Sequence, residues 1–339
     1  MKTLIVGDLH LKQQFVLPRI DEMLASDAEI GRVVFLGDAC DDWGANEADE
    51  LNAMEFYAKW VREHRERGMQ IDVLLGNHDF CYVRGKRGPG SIMSIMRNLR
   101  TILEDALQAK AACAVGPYLC SHAGVTGVWA KRFLSDVPAD ARAIAQRLNE
   151  MLADSSHWGD LDSCPPSRGG WSLPGPLWAD LRDMLDDALP GVPQIMGHSP
   201  VERVENYAGG WMTAGRDALW ACDTMSLMSY GSPIGDGSML LVDEPGELGD
   251  PDAPGVLCES RASCGVDALG ALGESRVLGN SGELGEPGAP RESGEPSDSC
   301  DLGLSGEPDG TVETYEARAV PFPGEGTFAE ACRRYWEAR

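Results

Sequence analysis

Residues 3–10 read TLIVGDLH and residues 32–42 read RVVFLGDACDD. Each is a β-branched or apolar run that breaks at a small residue and is followed at once by side chains able to bind metal. These are Asp8 and His10 in the first stretch, and Asp38 and Asp41 in the second. Three more stretches share the shape: IDVLLGNHD at 71–79, YLCSHAG at 118–124 and PQIMGHSP at 193–200. They carry Asn77, His78, Asp79, His122 and His198. Apolar runs of this length read as buried strands of the parallel type. Ligands just past them sit outside the carboxyl ends of the strands, where open α/β sheets bind their ligands. The chain has six histidines, and four of them fall in these stretches. That distribution points to a two-metal hydrolytic centre.

Strand and helix alternate outward from these stretches. Strands are expected at 2–7, 32–37 and 71–75, and helices at 14–28, 46–67 and 91–108. A hairpin is expected around Gly116-Pro117, between strands at 111–115 and 117–121. This βαβαβ start argues for a layered α/β core. Residues 126–190 read as helices at 129–135, 139–153 and 176–187, interrupted by a Gly-, Pro- and Trp-rich stretch. They are expected to form a helical lid over the strand ends. Its Trp158, Trp171 and Trp178 would pack it down or stack on a nucleobase. A core strand returns at 193–197, and 203–242 reads as antiparallel strands.

Residues 244–309 differ. They repeat fragments such as GELGDP, GELGEPGAP and SGEP and contain no aromatic residue. Residues 243–310 hold sixteen Asp or Glu against three Arg. Such a segment buries too little surface to offset chain entropy, so a disordered acidic insert is expected. SMLLVD before it and TVETYEARAV after it both read as strands. A hairpin with an inflated turn fits both flanks, because closure entropy grows slowly with loop length. The expected catalytic domain is 1–243, with 310–339 returning to it as a strand and a C-terminal helix.

At 339 residues and 43% hydrophobic content the chain can build a sizeable core. It has no run of eighteen apolar residues, so no membrane span is expected. The apolar run at the N-terminus stops at Asp8, too short for a signal peptide. The ten cysteines form no CxxC pair, which suits a reduced, cytoplasmic protein. A net charge of −25 repels phosphate backbones, so nucleic acid is not an expected partner.

Two divalent cations that clamp a phosphoryl group need one bridging carboxylate and mixed N and O ligands on each side. Asp38, ending what reads as the central strand, is the expected bridge. Asp8 and His10, alternating along an extended strand end, would hold one metal. Asn77, His122 and His198 would hold the other. This mix suits Mn, Fe or Zn better than Ca. His78 follows Asn77 directly and points elsewhere. It suits a general acid, oriented by Asp41 one turn past Asp38. Asp79 and Asp42 read as supports for ligands or as surface residues, His64 as a solvated helix residue, and His157 as part of the lid.

The blocks GDxH, GDxxD, GNHD, SHAG and GHSP, in this order, resemble the calcineurin-like metallophosphoesterases. They look most like the branch of phosphoprotein phosphatases and diadenosine-tetraphosphate hydrolases. The resemblance implies a four-layer α/β/β/α sandwich and metal ligands at Asp8, His10, Asp38, Asn77, His122 and His198. It also implies a proton donor at His78 with Asp41 as its partner. Two positions depart from the pattern. Pro200 stands where many bacterial members have a second metal-binding His. Asp42 stands where the phosphatase branch usually has an Arg that grips phosphate. That grip must then come from Arg84, Lys86 or Arg87, or from Arg168. The expected activity is hydrolysis of a phosphomonoester, small or protein-borne, by attack of a metal-bridging hydroxide. The alternatives are a nucleotide pyrophosphohydrolase and a catalytically silent binding module.

Overall fold

The computed structural model describes residues 1–208, 217–244, 315–324 and 326–337. The expected disordered insert lies outside the described residues, apart from Glu244. The first half alternates as β1 (Lys2–Val6), α1 (Gln13–Ser26), β2 (Ile30–Phe35), α2 (Glu47–Glu66), β3 (Gln70–Val73) and α3 (Asn77–Arg84). It continues with α4 (Met96–Thr101), β4 (Ala112–Val115) and β5 (Tyr118–Ser121). Then come α5 (Gly127–Phe133), α6 (Ala141–Ala153), α7 (Trp158–Leu161) and α8 (Leu181–Asp187). The last elements are β6 (Gln194–Met196), β7 (Glu205–Asn206), β8 (Leu219–Ala221), β9 (Met239–Asp243), β10 (Glu316–Val320) and α9 (Phe328–Glu337).

Among the described residues two five-stranded sheets form, in the orders β10-β9-β1-β2-β3 and β4-β5-β6-β8-β7. β1, β2 and β3 run parallel, so the apolar runs do build a parallel core. The central strand is β1, not β2. Alternate residues of each strand face opposite ways, and both faces are buried. Leu4, Val6, Val33 and Phe35 join a core shared with α1 and α2. Ile5, Val34 and Leu36 meet Cys113, Val115, Cys120 and Ile195 of the second sheet. Helices thus flank two sheets that pack on each other, as the four-layer expectation requires.

β4 and β5 pair antiparallel across Gly116-Pro117. β9 and β10 also pair antiparallel, Asp243 opposite Glu316, so the two strand-like flanks of the acidic segment do form one hairpin. Two expectations change. The segment 203–242 is divided between the sheets, and β8 runs parallel to β6. The stretch expected as a lid is also divided. α6 packs on β4 and β5 and gives Ile144, Leu148 and Met151 to the main core, because its apolar residues recur at helical spacing on one face. It is a layer of the sandwich. Among the described residues no helix is long and apolar enough to cross a membrane.

Candidate metal centre

Each motif leaves its strand through an irregular turn. Six non-glycine residues have clearly positive φ among the described residues: His10, Leu11, Asp38, Asp41, Gln108 and His198. Four of these are expected site residues. Such conformations cost free energy and persist where the surroundings enforce them, often at functional sites. Asp8 and His10 therefore do not lie along an extended strand end as expected, since His10 has φ 40°. Asp41, with φ 63°, lies in a loop and not one helical turn past Asp38. Asn77 and His78 open α3 and do not prolong β3.

The glycines before the ligands have a shared cause. A Cβ on Gly76 would collide with the Asp38 carboxylate, and one on Gly197 with the Asp8 carboxylate. Asp38 Oδ1 accepts the His78 N–H at 2.9 Å. Asp8 accepts the His198 N–H at 3.0 Å. Each carboxylate thus sits in a notch of another motif. Asp79 joins two of these loops, accepting the N–H groups of Ala39 and Cys40 at 3.0 and 2.9 Å and of Gly76 at 3.0 Å.

Among the described residues, ligand atoms gather into two trios that share one residue: Asp8, His10 and Asp38, and Asp38, His122 and His198. Asp38 Oδ2 is 3.8 Å from His10 Nε2 and 3.3 Å from His122 Nε2. It faces both trios. His10 Nδ1–H donates to the Asp41 carbonyl at 2.8 Å, and His122 Nδ1–H to the Leu36 carbonyl at 3.0 Å. These bonds leave a lone pair on each Nε2 aimed inward, the usual arrangement for a ligating imidazole. His122 Nε2 is also 3.1 Å from Asn77 Oδ1 and 3.1 Å from His198 Nδ1. The His122 lone pair thus faces the Asn77 carbonyl oxygen, acceptor against acceptor, which a cation between them would resolve. The charge balance agrees. Asp8, Asp38, Asp79 and Asp223 are all buried. Burial, with the charges of Asp223 and Asp38, pushes the Asp8 carboxyl well above its ordinary range. Burial also opposes the Asp38 charge, but His122, His78 and His10 outweigh it and hold that carboxyl well below its ordinary range. Burial and the neighbouring His122 keep His198 neutral, the form that binds metal. The residues present fit two divalent cations.

A calcineurin-like phosphoesterase family model matches residues 1–211. The chain belongs to this family. It is accordingly a metal-dependent phosphoester hydrolase, of a family that works with two metals. No curated protein matches the phosphoesterase closely. Similar solved structures include a cold-active protein-tyrosine phosphatase of the psychrophile Shewanella sp., at 18% identity and TM-score 0.42. That match covers 71% of this chain and 74% of the other. A metallophosphoesterase from Sphaerobacter thermophilus matches at 13% identity and TM-score 0.32, covering 71% and 82%.

In the phosphoesterase, His78 Nδ1–H donates to Asp41 Oδ2 at 2.9 Å. Burial alone would lower the His78 pKa. The Asp38 charge and the Asp41 hydrogen bond override it and raise the pKa to about 9. The candidate phosphate grips differ. Arg84 is engaged by Asp162, which also accepts from Trp178 Nε1. Arg168 lies beside His198, with Nη2 3.3 Å from the His198 carbonyl and 2.8 Å from Ser199 Oγ, and Nε 2.9 Å from Asp180. Asp42 meets the buried Lys12 ammonium at 3.4 Å, so the acid in the usual arginine position has a cationic partner. The three tryptophans also differ. Trp158 packs on Phe80, Trp178 sets its ring edge-on to His198, and Trp171 is exposed. His64 is not solvated. It is buried, stacked on Trp60 and 3.0 Å from Asp21. His157 is half exposed beside Asp160.

Sequence reasoning missed three residues. Asp223 is buried near Asp8 and accepts from Ser226 Oγ at 2.8 Å. It follows the apolar run ALWAC, the same shape as the other motifs but without the small residue. Glu50 is buried and accepts the Asp41 N–H at 3.1 Å. Tyr82 reaches Asp41 from one turn beyond His78, an i, i+4 spacing that places both on one helix face.

Proposed function

We propose that this phosphoesterase hydrolyses phosphomonoesters, and that Asp8, His10, Asp38, Asn77, His122 and His198 hold its two divalent cations, with Mn the choice for assay. Those cations, when bound, supply Lewis acidity toward the phosphoryl oxygens and activate water. The protein's own side chains do the rest. Asp38 holds the two halves of the centre together through the oxygen that faces both. His78 donates its proton to the departing alkoxide, and Asp41 holds the imidazole in the tautomer that keeps the proton on Nδ1 while His78 is neutral. Arg168 offers a cationic guanidinium beside His198, suited to the second negative charge of a monoester.

The observation that carries this reading is the His78–Asp41 pair next to Asp38, the residue common to both ligand trios. A proton donor beside such a centre serves a poor leaving group, and a silent binding module has no use for it. The test is a substrate panel with added Mn²⁺: p-nitrophenyl phosphate, its bis-ester, phosphopeptides, dinucleoside polyphosphates and cyclic nucleotides. Fastest turnover on monoesters supports the proposal. Fastest turnover on dinucleoside polyphosphates replaces it with a pyrophosphohydrolase, and turnover of none of them with a binding role.

A further inference from the structure

We infer that this phosphoesterase has a second anion site, fitted to a small ligand with two or more linked phosphate groups, at the end of its strands opposite the metal centre. The inference does not depend on which phosphoester the metal centre cleaves.

An open cavity of about 650 Å³ is walled by the starts of β2 and β3, by β4, and by α2 and α6. Its volume falls within the roughly 300–1,000 Å³ of small-molecule sites. Arg32 lies near the start of β2, and Asp38 follows the end of that strand. At about 3.3 Å per residue, that stretch separates the cavity from the metal centre by on the order of 15–20 Å.

Arg32, Arg65, Lys110 and Arg142 line the cavity, against one lining carboxylate among the described residues, Asp72. Four cations to one acid is a local surplus in a chain whose net charge is −25. Asp72 is already committed. It accepts from Arg32 Nε at 2.9 Å and Nη2 at 2.6 Å, and from Lys110 Nζ at 2.6 Å. Arg32 Nη1 also donates to the Ala114 carbonyl at 2.9 Å. This network ties the first sheet to the second, which accounts for Arg32 and Asp72.

It does not account for Arg65 or Arg142. Arg65 Nη2 donates to the Ile71 carbonyl at 2.8 Å and the Leu107 carbonyl at 3.0 Å. These bonds fix the guanidinium and leave its charge without a counter-ion. Burial lowers the Arg65 pKa against the opposing influence of Tyr57 and Asp72, so a bound anion would offset a desolvation cost. Arg142 is exposed and has no carboxylate partner among the described residues. Lys110 keeps 48% of its side chain exposed, open to a second acceptor. The wall is fastened by Asn149, which accepts the Ala111 N–H at 2.8 Å and donates to the Ala112 carbonyl at 2.9 Å. That holds α6, and Arg142 two turns earlier on it, in register with β4. Arg65, Lys110 and Arg142 come from three separate segments. Together they suit a run of linked phosphates better than one phosphate, and the arginine fork matches phosphate oxygens.

Titration calorimetry on the manganese-loaded protein, with Mn²⁺ in excess, tests this with two hydrolysis-resistant probes, imidodiphosphate and adenylyl imidodiphosphate. The parent should bind at least one of them at a site that survives Arg168→Gln, a change beside the metal centre. Arg142→Glu, at an exposed position, should weaken that binding about ten-fold or more, the scale of one lost hydrogen bond to a charged group. Its turnover of p-nitrophenyl phosphate should match the parent. Arg65→Gln should weaken binding likewise; should it not fold, Lys110→Gln takes its place. Tighter binding of the adenylyl probe would make the ligand a nucleoside polyphosphate, and equal binding the bare polyphosphate group; either supports the site. No binding to the parent overturns the inference. So does binding that is lost in Arg168→Gln, or binding unchanged in Arg142→Glu, since either would place the probe at the metal centre.

Discussion

His78 and Asp41 meet through a 2.9 Å hydrogen bond although one opens a helix and the other sits in a loop thirty-seven residues earlier. The bond leaves His78 Nε2 as the nitrogen available to a leaving group. His78→Ala should therefore keep both metals and lower turnover by about 10²–10⁴-fold on alkyl phosphates. The loss on p-nitrophenyl phosphate should be much smaller, since nitrophenolate departs with little protonation. Asp41→Asn should follow the same pattern more weakly. Loss of metal in His78→Ala, by elemental analysis, would make it a ligand instead.

Asp38→Asn should weaken both metals together, because a neutral amide bridges poorly. Elemental analysis after loading with excess Mn²⁺ should show two ions per chain in the parent and fewer than one in the variant. A variant that loses a single ion would show that Asp38 serves one side only.

Gly197→Ala places a methyl group where the Asp8 carboxylate sits. The expected result is selective loss of metal with a fold that still melts cooperatively. Unchanged metal content and activity would mean that the notch is roomier than its geometry indicates.

Glu50 supplies a pH test. Burial and then the Asp41 charge raise its carboxyl to about 8, against 4.5 for the free group. Between those values the folded state keeps a proton that the unfolded state releases. Stability from this residue therefore falls as pH rises from about 4.5 to 8 and is level above that. Each unit of that window is about 1.4 kcal/mol at most. Glu50→Gln removes the dependence and keeps an oxygen for the Asp41 N–H. Thermal melts at pH 5 and pH 8 should show the variant gaining on the parent at the higher pH. Parallel changes in the two proteins would contradict the assignment.

The acidic segment leaves the sheet after Asp243 and rejoins it before Glu316, and these residues pair with each other. Asp243 also pairs with Lys2, at the start of β1, whereas the ligands follow the end of β1. The attachment points are therefore at the far end of the sheet from the metal centre. Replacing 245–314 with a two-residue Asn-Gly turn should leave turnover and melting temperature close to the parent. A large drop in either would show that the segment contributes to one of them.

Much of this was legible in the residues. Long β-branched runs have few alternatives to buried strands, so the parallel core and the gathering of Asp8, Asp38, His122 and His198 could be read directly. Backbone geometry at the motifs could not. Positive φ at His10 and Asp41 is enforced by contacts between distant loops and has no local signature in a non-glycine residue. The place of α6 was misread because an amphipathic helix shows only that one face is covered, not by what. Asp223 went unread because its motif lacks the small residue that marked the others.

Asp8 and His198 are 190 positions apart, yet the carboxylate of one fills the hollow left by the glycine before the other. Ligands in this centre are not independent parts. Transplanting the six side chains onto another scaffold would carry over the donors without the recesses that aim them. A designer would have to move whole turns in pairs, glycine and acid together. By the same reasoning, natural variation at one ligand should be accompanied by change in a turn remote from it along the chain.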